Sequence, residues 1–304
     1  MIGFVFPGQG TARVGMGGWL RRDPAGAAVI ARADELLPEP VSELCARGPL
    51  DKLVNTLHAQ PAVTACNLAA LAVLRERGVE PDVVAGHSVG EVSALCAAGV
   101  LDVDTAVRLV ATRSRLMADL PDTGGMSAVM GLPPDRVEEL VAEAARPGEP
   151  LVVGLENAPD HAVVSGATAA VARLAELAAA AGARKVVPLK VSNAFHSPLM
   201  AGALDGWAEA VRATPMSPPR VPVVPNATAE PTTDLPTIVD ALIAQLTARV
   251  RWTATMHALA DVETLVEVGD SKVLTGLLRA VDRRCASLAD PAAVRRLRRP
   301  EPAA

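Results

Sequence analysis

Short apolar runs alternate with longer stretches of helical period along most of the chain, an order that predicts an α/β protein on a mostly parallel sheet. IGFVF at residues 2–6 reads as the first strand. AQPAVTACNLAALAVLRERG reads as a helix closed by Gly78, and DVVAGH then reads as a strand running into Ser88. DVDTAVRLVATRSRLMADL follows as a helix, with Asp102 or Asp104 available to cap it. From residue 123 to about 190 the order becomes strand, helix, strand, strand, helix, strand, carried by MSAVMG, PDRVEELVAEAA, LVVGLEN, HAVVSG, AAVARLAELAAAAG and KVVPLK. This β-α-β-β-α-β run has the ferredoxin-like order. It predicts a small domain, 123–190, inserted into a large one made of 1–122 and 191–304. The alternation then resumes with a helix from Pro198, a strand VPVV, a helix TIVDALIAQL, a strand TLVEVG and a helix KVLTGLLRAV, and the tail after Asp290 is expected to fray.

Composition narrows the class. The 304 residues are half apolar, enough for a substantial core, and the net charge of −5 argues against a surface made for nucleic acid. The chain has no tyrosine and few other aromatics, which removes a tyrosine acid and base-stacking platforms. Cys45, Cys66, Cys96 and Cys285 lie far apart without zinc-ligand spacing, so no metal is expected and the thiols read as small buried apolar residues of a reducing compartment. The N-terminal run lacks a basic flank, and AVTACNLAALAVL reads as too short for a bilayer span. A cytoplasmic protein without membrane attachment is the expectation.

Candidate chemistry centres on VVAGHSVGEVSAL. Gly86-His87-Ser88-Val89-Gly90 between a strand and a helix is the pattern of a nucleophile elbow, where flanking glycines permit a turn that side chains would block. A plain strand-to-helix turn also explains the glycines. A serine nucleophile needs a base, and the chain has five histidines. His87 is adjacent to Ser88 and diverges from it on a sharp turn; His58 and His257 sit in helical patterns; His161 opens a strand. His196, in SNAFHSPLM, follows the segment that returns from the small domain, a position compatible with facing the elbow across a cleft between domains. Position alone leaves the assignment of the base open. Backbone N–H groups of Gln9, in FPGQG, and Val89 are candidates for an oxyanion hole, although FPGQG also fits an ordinary tight turn.

Taken together, FPGQG, QPA at 60–62, GHSVGE with SALCAAGVLD, TRSRLM, GMSAV, NAFHSPLM and VEVGDSKVLTGL resemble the malonyl-CoA:acyl-carrier-protein transacylase family, from Phe4 to about Ala280 and in order. The resemblance implies an α/β-hydrolase-like large domain with a ferredoxin-like small one. It implies Ser88 as the acyl-carrying nucleophile, His196 as the base, the main-chain carbonyl of Gln245 as the group that orients the imidazole, and the N–H groups of Gln9 and Val89 as the oxyanion hole. It places Asn157 on a site-lining position and makes Arg113 the partner of the malonyl carboxylate, a role suited to a planar guanidinium. Without it, Arg113 reads as one more residue of a solvated helix face. Val89 after the nucleophile, and Phe195 in Asn193-Ala-Phe-His196, resemble the malonyl-selective members; one methyl group is worth only about 1–3 kcal/mol. GDSKVL departs from the usual GPGKVL, so the loop at Asp270 and Ser271 is expected to differ in shape, and Asn193 replaces a histidine.

The implied reaction needs no cofactor beyond the coenzyme A thioester that is its substrate, and its partners are malonyl-CoA and an acyl carrier protein, with the protein itself a monomer. Arg279, Arg283, Arg284 and the tail residues Arg295, Arg296, Arg298 and Arg299 are candidates for a basic rim toward an acidic carrier. Rival readings are a carrier-to-carrier acyl shuttle or editing hydrolase, which tend to lose the arginine; the malonyl-transferring subunit of a malonate decarboxylase, whose elbow looks like GLSIG; a non-catalytic scaffold; and a carboxylesterase, which needs a carboxylate third member not identifiable here.

Overall fold

Nine strands among the described residues form two sheets: β1 (Ile2–Phe6), β2 (Val83–Gly86), β3 (Gly124–Met130), β4 (Leu151–Ala158), β5 (His161–Ala167), β6 (Lys185–Pro188), β7 (Val223–Val224), β8 (Thr264–Glu267) and β9 (Cys285–Ser287). The computed structural model describes residues 1–121, 124–191, 193–290, 292–293 and 297. The predicted tail therefore falls almost wholly outside the described residues.

The first sheet has the order β7-β2-β1-β8-β9 and every neighbouring pair is parallel. Parallel strands covered on both faces need side chains that are apolar in both directions. β1 and β2 meet this with Phe4, Val5, Phe6, Val83, Val84 and Ala85, all buried. The helix Thr56–Glu76 packs in the same core, started by Asn55, whose side chain accepts from the N–H of Leu57. It runs 21 residues, long and apolar enough to cross a bilayer, which corrects the expectation of a stretch too short for that. The helix gains its length at its N-terminus, where Thr56 to Pro61 join the apolar stretch, and 83% of its most apolar window is buried inside the protein. Its hydrophobicity is core hydrophobicity.

The run between β3 and β6 builds the second sheet, antiparallel with the order β4-β5-β3-β6. Strand side chains alternate between faces. On β5 Ala162 and Val164 join a separate core with Val129, Val137, Leu140 and Leu174, under the helices Pro134–Ala144 and Thr168–Ala180, while Val163 between them belongs to the main core. Met126, Ala128 and Val163 thus turn one face of this sheet toward the first. Val250, on the segment after Gln245, bonds to the edge strand β4: its N–H donates to the Gly154 carbonyl and its carbonyl accepts from the Glu156 N–H, each at 2.9 Å. Arg249 beside it pairs with Glu138 and Glu156.

Four helices, Pro24–Leu36, Val41–Arg47, Leu50–Val54 and Trp252–Ala258, and the strand β9 carry too little periodic signal to be read from the sequence. The helix expected from Pro198 begins as a 3-10 turn, Pro198–Ala203, capped by the Ser197 hydroxyl, and becomes α-helical at Leu204–Ala213. Because Leu174 is fully buried in the second core, Leu174→Ala is expected to cost about 2–5 kcal/mol. Hydrogen exchange resolved by residue should show protection lost first across β3–β6, with β1 and β2 the last to open.

Candidate active site

β2 ends at Gly86, and the chain turns at Ser88 into the helix Gly90–Ala97. Ser88 has φ of 53°, the left-handed region that an L-residue enters only under constraint. The glycines on either side are steric necessities. A Cβ on Gly86 would lie 2.1 Å from the carbonyl carbon of Gly90, and one on Gly90 would lie 2.2 Å from the carbonyl oxygen of Phe6. The loop after β1 closes on this turn: a Cβ on Gly8 would lie 2.6 Å from the His87 carbonyl oxygen.

The structure brings Ser88 and His196 together, with Oγ 2.8 Å from Nε2. His196 Nδ1 lies 2.9 Å from the main-chain oxygen of Gln245, which only accepts. The ring proton therefore sits on Nδ1, and Nε2 is left to accept from the serine hydroxyl. Burial, with the charge of Arg113 adding to it, lowers the His196 pKa to about 3, so the ring is neutral at physiological pH.

Both peptide groups of Ser88 are held by side chains. Its N–H donates to Asn226 Oδ1 at 2.7 Å, and its carbonyl accepts from Gln245 Nε2 at 3.0 Å. Asn226 Nδ2 reaches back to the Gly86 carbonyl. Glu91, fully buried one residue into the helix, accepts from the Asn226 N–H and from Gln245 Nε2. Burial raises its pKa to about 7.

Arg113 is almost fully buried on the helix Val103–Ala118, which corrects its reading as a solvated-face residue. Its fork meets neutral acceptors, Nη1 donating to Gln60 Oε1 at 2.5 Å and Nη2 to Gln245 Oε1 at 2.9 Å, and its Nε is buried without a partner. Burial lowers its pKa to about 10, which still leaves a cation at neutral pH.

A cleft of about 400 Å³ opens over Ser88 and His196 between the two sheets. Gln9, Asn157 and Phe195 lie in its wall; Val89, adjacent to Ser88, is buried at the helix start; Arg113 lies behind the wall, one turn from the lining residue Met117. A larger hollow of about 650 Å³ between Arg75 and Arg220 has neither the serine nor the histidine, so chemistry rather than size selects the site. Among the other histidines, His87 faces the cleft, bonded to Asn157 Oδ1 at 2.8 Å and edge-on to Trp252. His161 also lines the cleft, on the same face of β5 as the lining residue Val163. Asn193, in place of a histidine, donates to the Met117 carbonyl at 3.0 Å. Asp270, in the variant loop, accepts from Arg13 Nη2 and the Gly17 N–H, each at 2.8 Å. Arg283 is not free for a rim: its guanidinium donates to the carbonyls of Ala260 and Val262. Arg295, Arg296, Arg298 and Arg299 lie outside the described residues. Among the described residues no group of three His, Cys, Asp or Glu side chains is placed to hold a metal ion.

Asn226, Glu91 and Gln60 escape a reading that looks for nucleophile and base. The signal was there for two of them: a carboxylate in the apolar helix GEVSALCA, and an amide in the apolar helix after Thr56, each demand an internal partner.

A parallel α/β sheet ending in a strained serine turn, with a neutral imidazole on the hydroxyl, is the class of arrangement used in acyl transfer. Residues 3–287 match the acyl transferase domain family. The malonyl CoA-acyl carrier protein transacylase of Salmonella typhimurium is 40% identical over 96% of this chain and 96% of its own length. The acyl-carrier-protein S-malonyltransferase of Bartonella henselae superposes with a TM-score of 0.92 at 35% identity, covering 97% of both chains. A malonyl-transacylase solved in complex with a type II polyketide-synthase acyl carrier protein gives a TM-score of 0.92 at 35% identity, covering 96% of this chain and 97% of its own. The chain belongs to the malonyl-CoA:acyl-carrier-protein transacylase family.

His196 is neutral in the folded protein near pH 5, whereas an unfolded histidine protonates below about 6.5. Its contribution to stability is therefore full above 6.5 and is lost as pH falls toward 3. The stability of the parent relative to His196→Asn should fall by up to about 1.4 kcal/mol per pH unit between 6 and 4. Urea unfolding of both proteins at pH 7, 5.5 and 4.5 measures this; equal pH slopes would refute a buried neutral ring.

Proposed function

We propose that this protein transfers a malonyl group from coenzyme A to the phosphopantetheine thiol of an acyl carrier protein, for fatty-acid or polyketide synthesis, acting as a cytoplasmic monomer. The observation that carries the proposal is the Ser88–His196–Gln245 carbonyl chain with a buried arginine beside it. Residues 123–190 are read as a ferredoxin-like domain inserted in an α/β-hydrolase-like one. Support comes from the order β4-β5-β3-β6, in which the sheet's first and third strands pair at its centre.

His196 Nε2 takes the proton of the Ser88 hydroxyl as Oγ attacks the thioester carbonyl. The C–S bond breaks, the proton passes to the coenzyme A thiolate, and a malonyl-serine ester remains. The carrier thiol then gives its proton to His196 as its sulfur attacks that ester, and Ser88 recovers a proton as the new thioester leaves. Backbone N–H groups of Gln9 and Val89 receive the oxyanion in both steps. Asn157 and Phe195 bound the acyl group, and Val89 and Phe195 leave little room for an α-methyl substituent.

Arg113 receives the malonyl carboxylate. Its fork rests on two neutral amides, so an incoming carboxylate exchanges a weak acceptor for an ionised one. Intact mass after brief incubation with malonyl-CoA should show a malonyl adduct that is absent in Ser88→Ala. In Arg113→Ala its formation should slow by roughly 10²-fold or more, the scale of losing about 3 kcal/mol. Fast acetyl or long-chain labelling with slow malonyl labelling, or free acid without adduct, would favour the shuttle or hydrolase instead.

Arg283 is engaged on backbone carbonyls, while Arg279 and Arg284 are exposed and remain candidates for the carrier rim; lysines at the cleft mouth extend it. Of the chain's four, Lys185 lies in the cleft wall, Lys190 separates the lining residues Leu189 and Val191, and Lys272 precedes Val273, also in the wall; all three are exposed. Lys185→Glu with Lys190→Glu is expected to raise KM for an acidic carrier roughly tenfold at low salt, the rise shrinking as salt is added. An unchanged KM at low salt would remove the lysine rim.

A further inference from the structure

Glu91 is a buried ionisable group that neither the serine, the histidine nor the arginine explains. Its helix, GEVSALCA, is otherwise apolar or small, and a carboxylate there is costly to desolvate. One of its oxygens, Oε2, accepts from both the Asn226 N–H and Gln245 Nε2, each at 2.9 Å, while Oε1 is buried without a partner. Those two donors belong to the residues that grip the site. Asn226 spans the elbow from the Gly86 carbonyl to the Ser88 N–H. Gln245 takes the Ser88 carbonyl and Arg113 with its two amide ends, and the His196 ring with its main-chain oxygen.

We propose that Glu91 is a positioning residue: its Oε2 holds Asn226 and Gln245, and through them sets Ser88, His196 and Arg113 in fixed relation. The inference rests on reading Ser88 as the nucleophile. The side-chain amide of Gln245 is planar, so its two ends cannot move independently. Losing the anchor on Nε2 releases Oε1 from Arg113 and Nε2 from Ser88 together. Losing the acceptor for the Asn226 N–H frees the backbone from which the other clamp projects. Small displacements of this kind are sufficient to slow a reaction by about 10²-fold.

A plain counter-charge for Arg113 predicts something different. It would matter only to acyl donors with a free carboxylate, and it would need the charge itself. The positioning role applies to any acyl donor and needs only an acceptor oxygen, which glutamine also has, since one oxygen serves both donors.

The experiment is single-turnover acylation of Ser88 in Glu91→Ala, Glu91→Gln and the parent, with malonyl-CoA and with the neutral ester p-nitrophenyl acetate, each followed to saturation. Glu91→Ala should lower the maximal rate by roughly 10²-fold with both donors, with half-saturation changed less than about threefold, and Glu91→Gln should recover most of the loss with both. A loss confined to malonyl-CoA, a Glu91→Gln as slow as Glu91→Ala, or rates near the parent's in Glu91→Ala would overturn the proposal. If Glu91→Ala does not fold, Glu91→Asp, which withdraws the oxygen by one carbon, must show the same loss with both donors, and failure to do so is equally decisive. Acylation persisting in Ser88→Ala would remove the nucleophile reading itself, a separate failure from that of Glu91.

Discussion

Ser88 is held at φ 53°, and the arrangement of the site follows from what that conformation requires. Left-handed backbone costs a non-glycine residue about 1–2 kcal/mol, so it persists only where the surroundings over-determine it. Here they do so sterically and through hydrogen bonds. Gly86 is pressed against the start of the following helix and Gly90 against the end of β1, so neither leaves space for a Cβ, and Asn226 and Gln245 take up both peptide groups of the serine. The result lifts the Ser88 hydroxyl off the end of the sheet and into the cleft, while the N–H and carbonyl of the serine itself stay hydrogen-bonded. His196 is held in the same left-handed region, at φ 57°, so both members of the hydrogen-bonded pair project from strained backbone.

The electrostatics are set by burial. A carboxylate beside the histidine would strongly stabilise its protonated form; the Gln245 carbonyl orients the ring with a weaker pull in the same direction, which burial outweighs. Together with Arg113 nearby, this keeps His196 neutral and able to accept a proton. On the proposed reading, a malonyl carboxylate seated on Arg113 offsets the positive charge that opposes imidazolium formation. Substrate binding would then ease the proton transfer that a neutral acyl group leaves opposed, and selectivity would enter the chemical step as well as binding.

Much of this was readable from residue order. The elbow is local: strand, Gly-x-Ser-x-Gly, helix, all within a dozen residues whose constraints are steric, so Ser88 stood out without any tertiary information. The alternation of most strands and helices along the chain was legible for the same reason, since the hydrophobic period changes between them, but the strand order of the sheets was not. Arg113 was not, because a helical arginine looks alike whether it faces solvent or a core; only the packing of Gln60 and Gln245 against it decides. Asn226 lay further out of reach. PNATA is an unremarkable turn sequence, and its importance exists only where the chain brings it 138 residues back to Ser88. The helices between residues 24 and 54 failed for a different reason: Val41–Arg47 and Leu50–Val54 are too brief to show a period, and Pro24–Leu36 is mostly alanine and charge with few large apolar residues to mark one.

The second sheet does more than wall the cleft. Ser165 on β5 donates to the Phe195 carbonyl at 2.6 Å, and Gly154 on β4 has no side chain to push the His196 backbone away: a Cβ there would stand 3.3 Å from the carbonyl oxygens of both Phe195 and His196. The serine is thus fixed by the parallel sheet, while the histidine is fixed partly by the antiparallel one, and the 2.8 Å contact between them depends on how the two sheets meet. One link in that meeting is Val250, which bridges Gly154 and Glu156 just five residues beyond Gln245. The same short segment that orients the imidazole therefore also ties the second sheet in place. A shift of the second sheet would therefore be felt at the histidine before it was felt at the serine, which places the site's sensitivity to that sheet on the proton-accepting side.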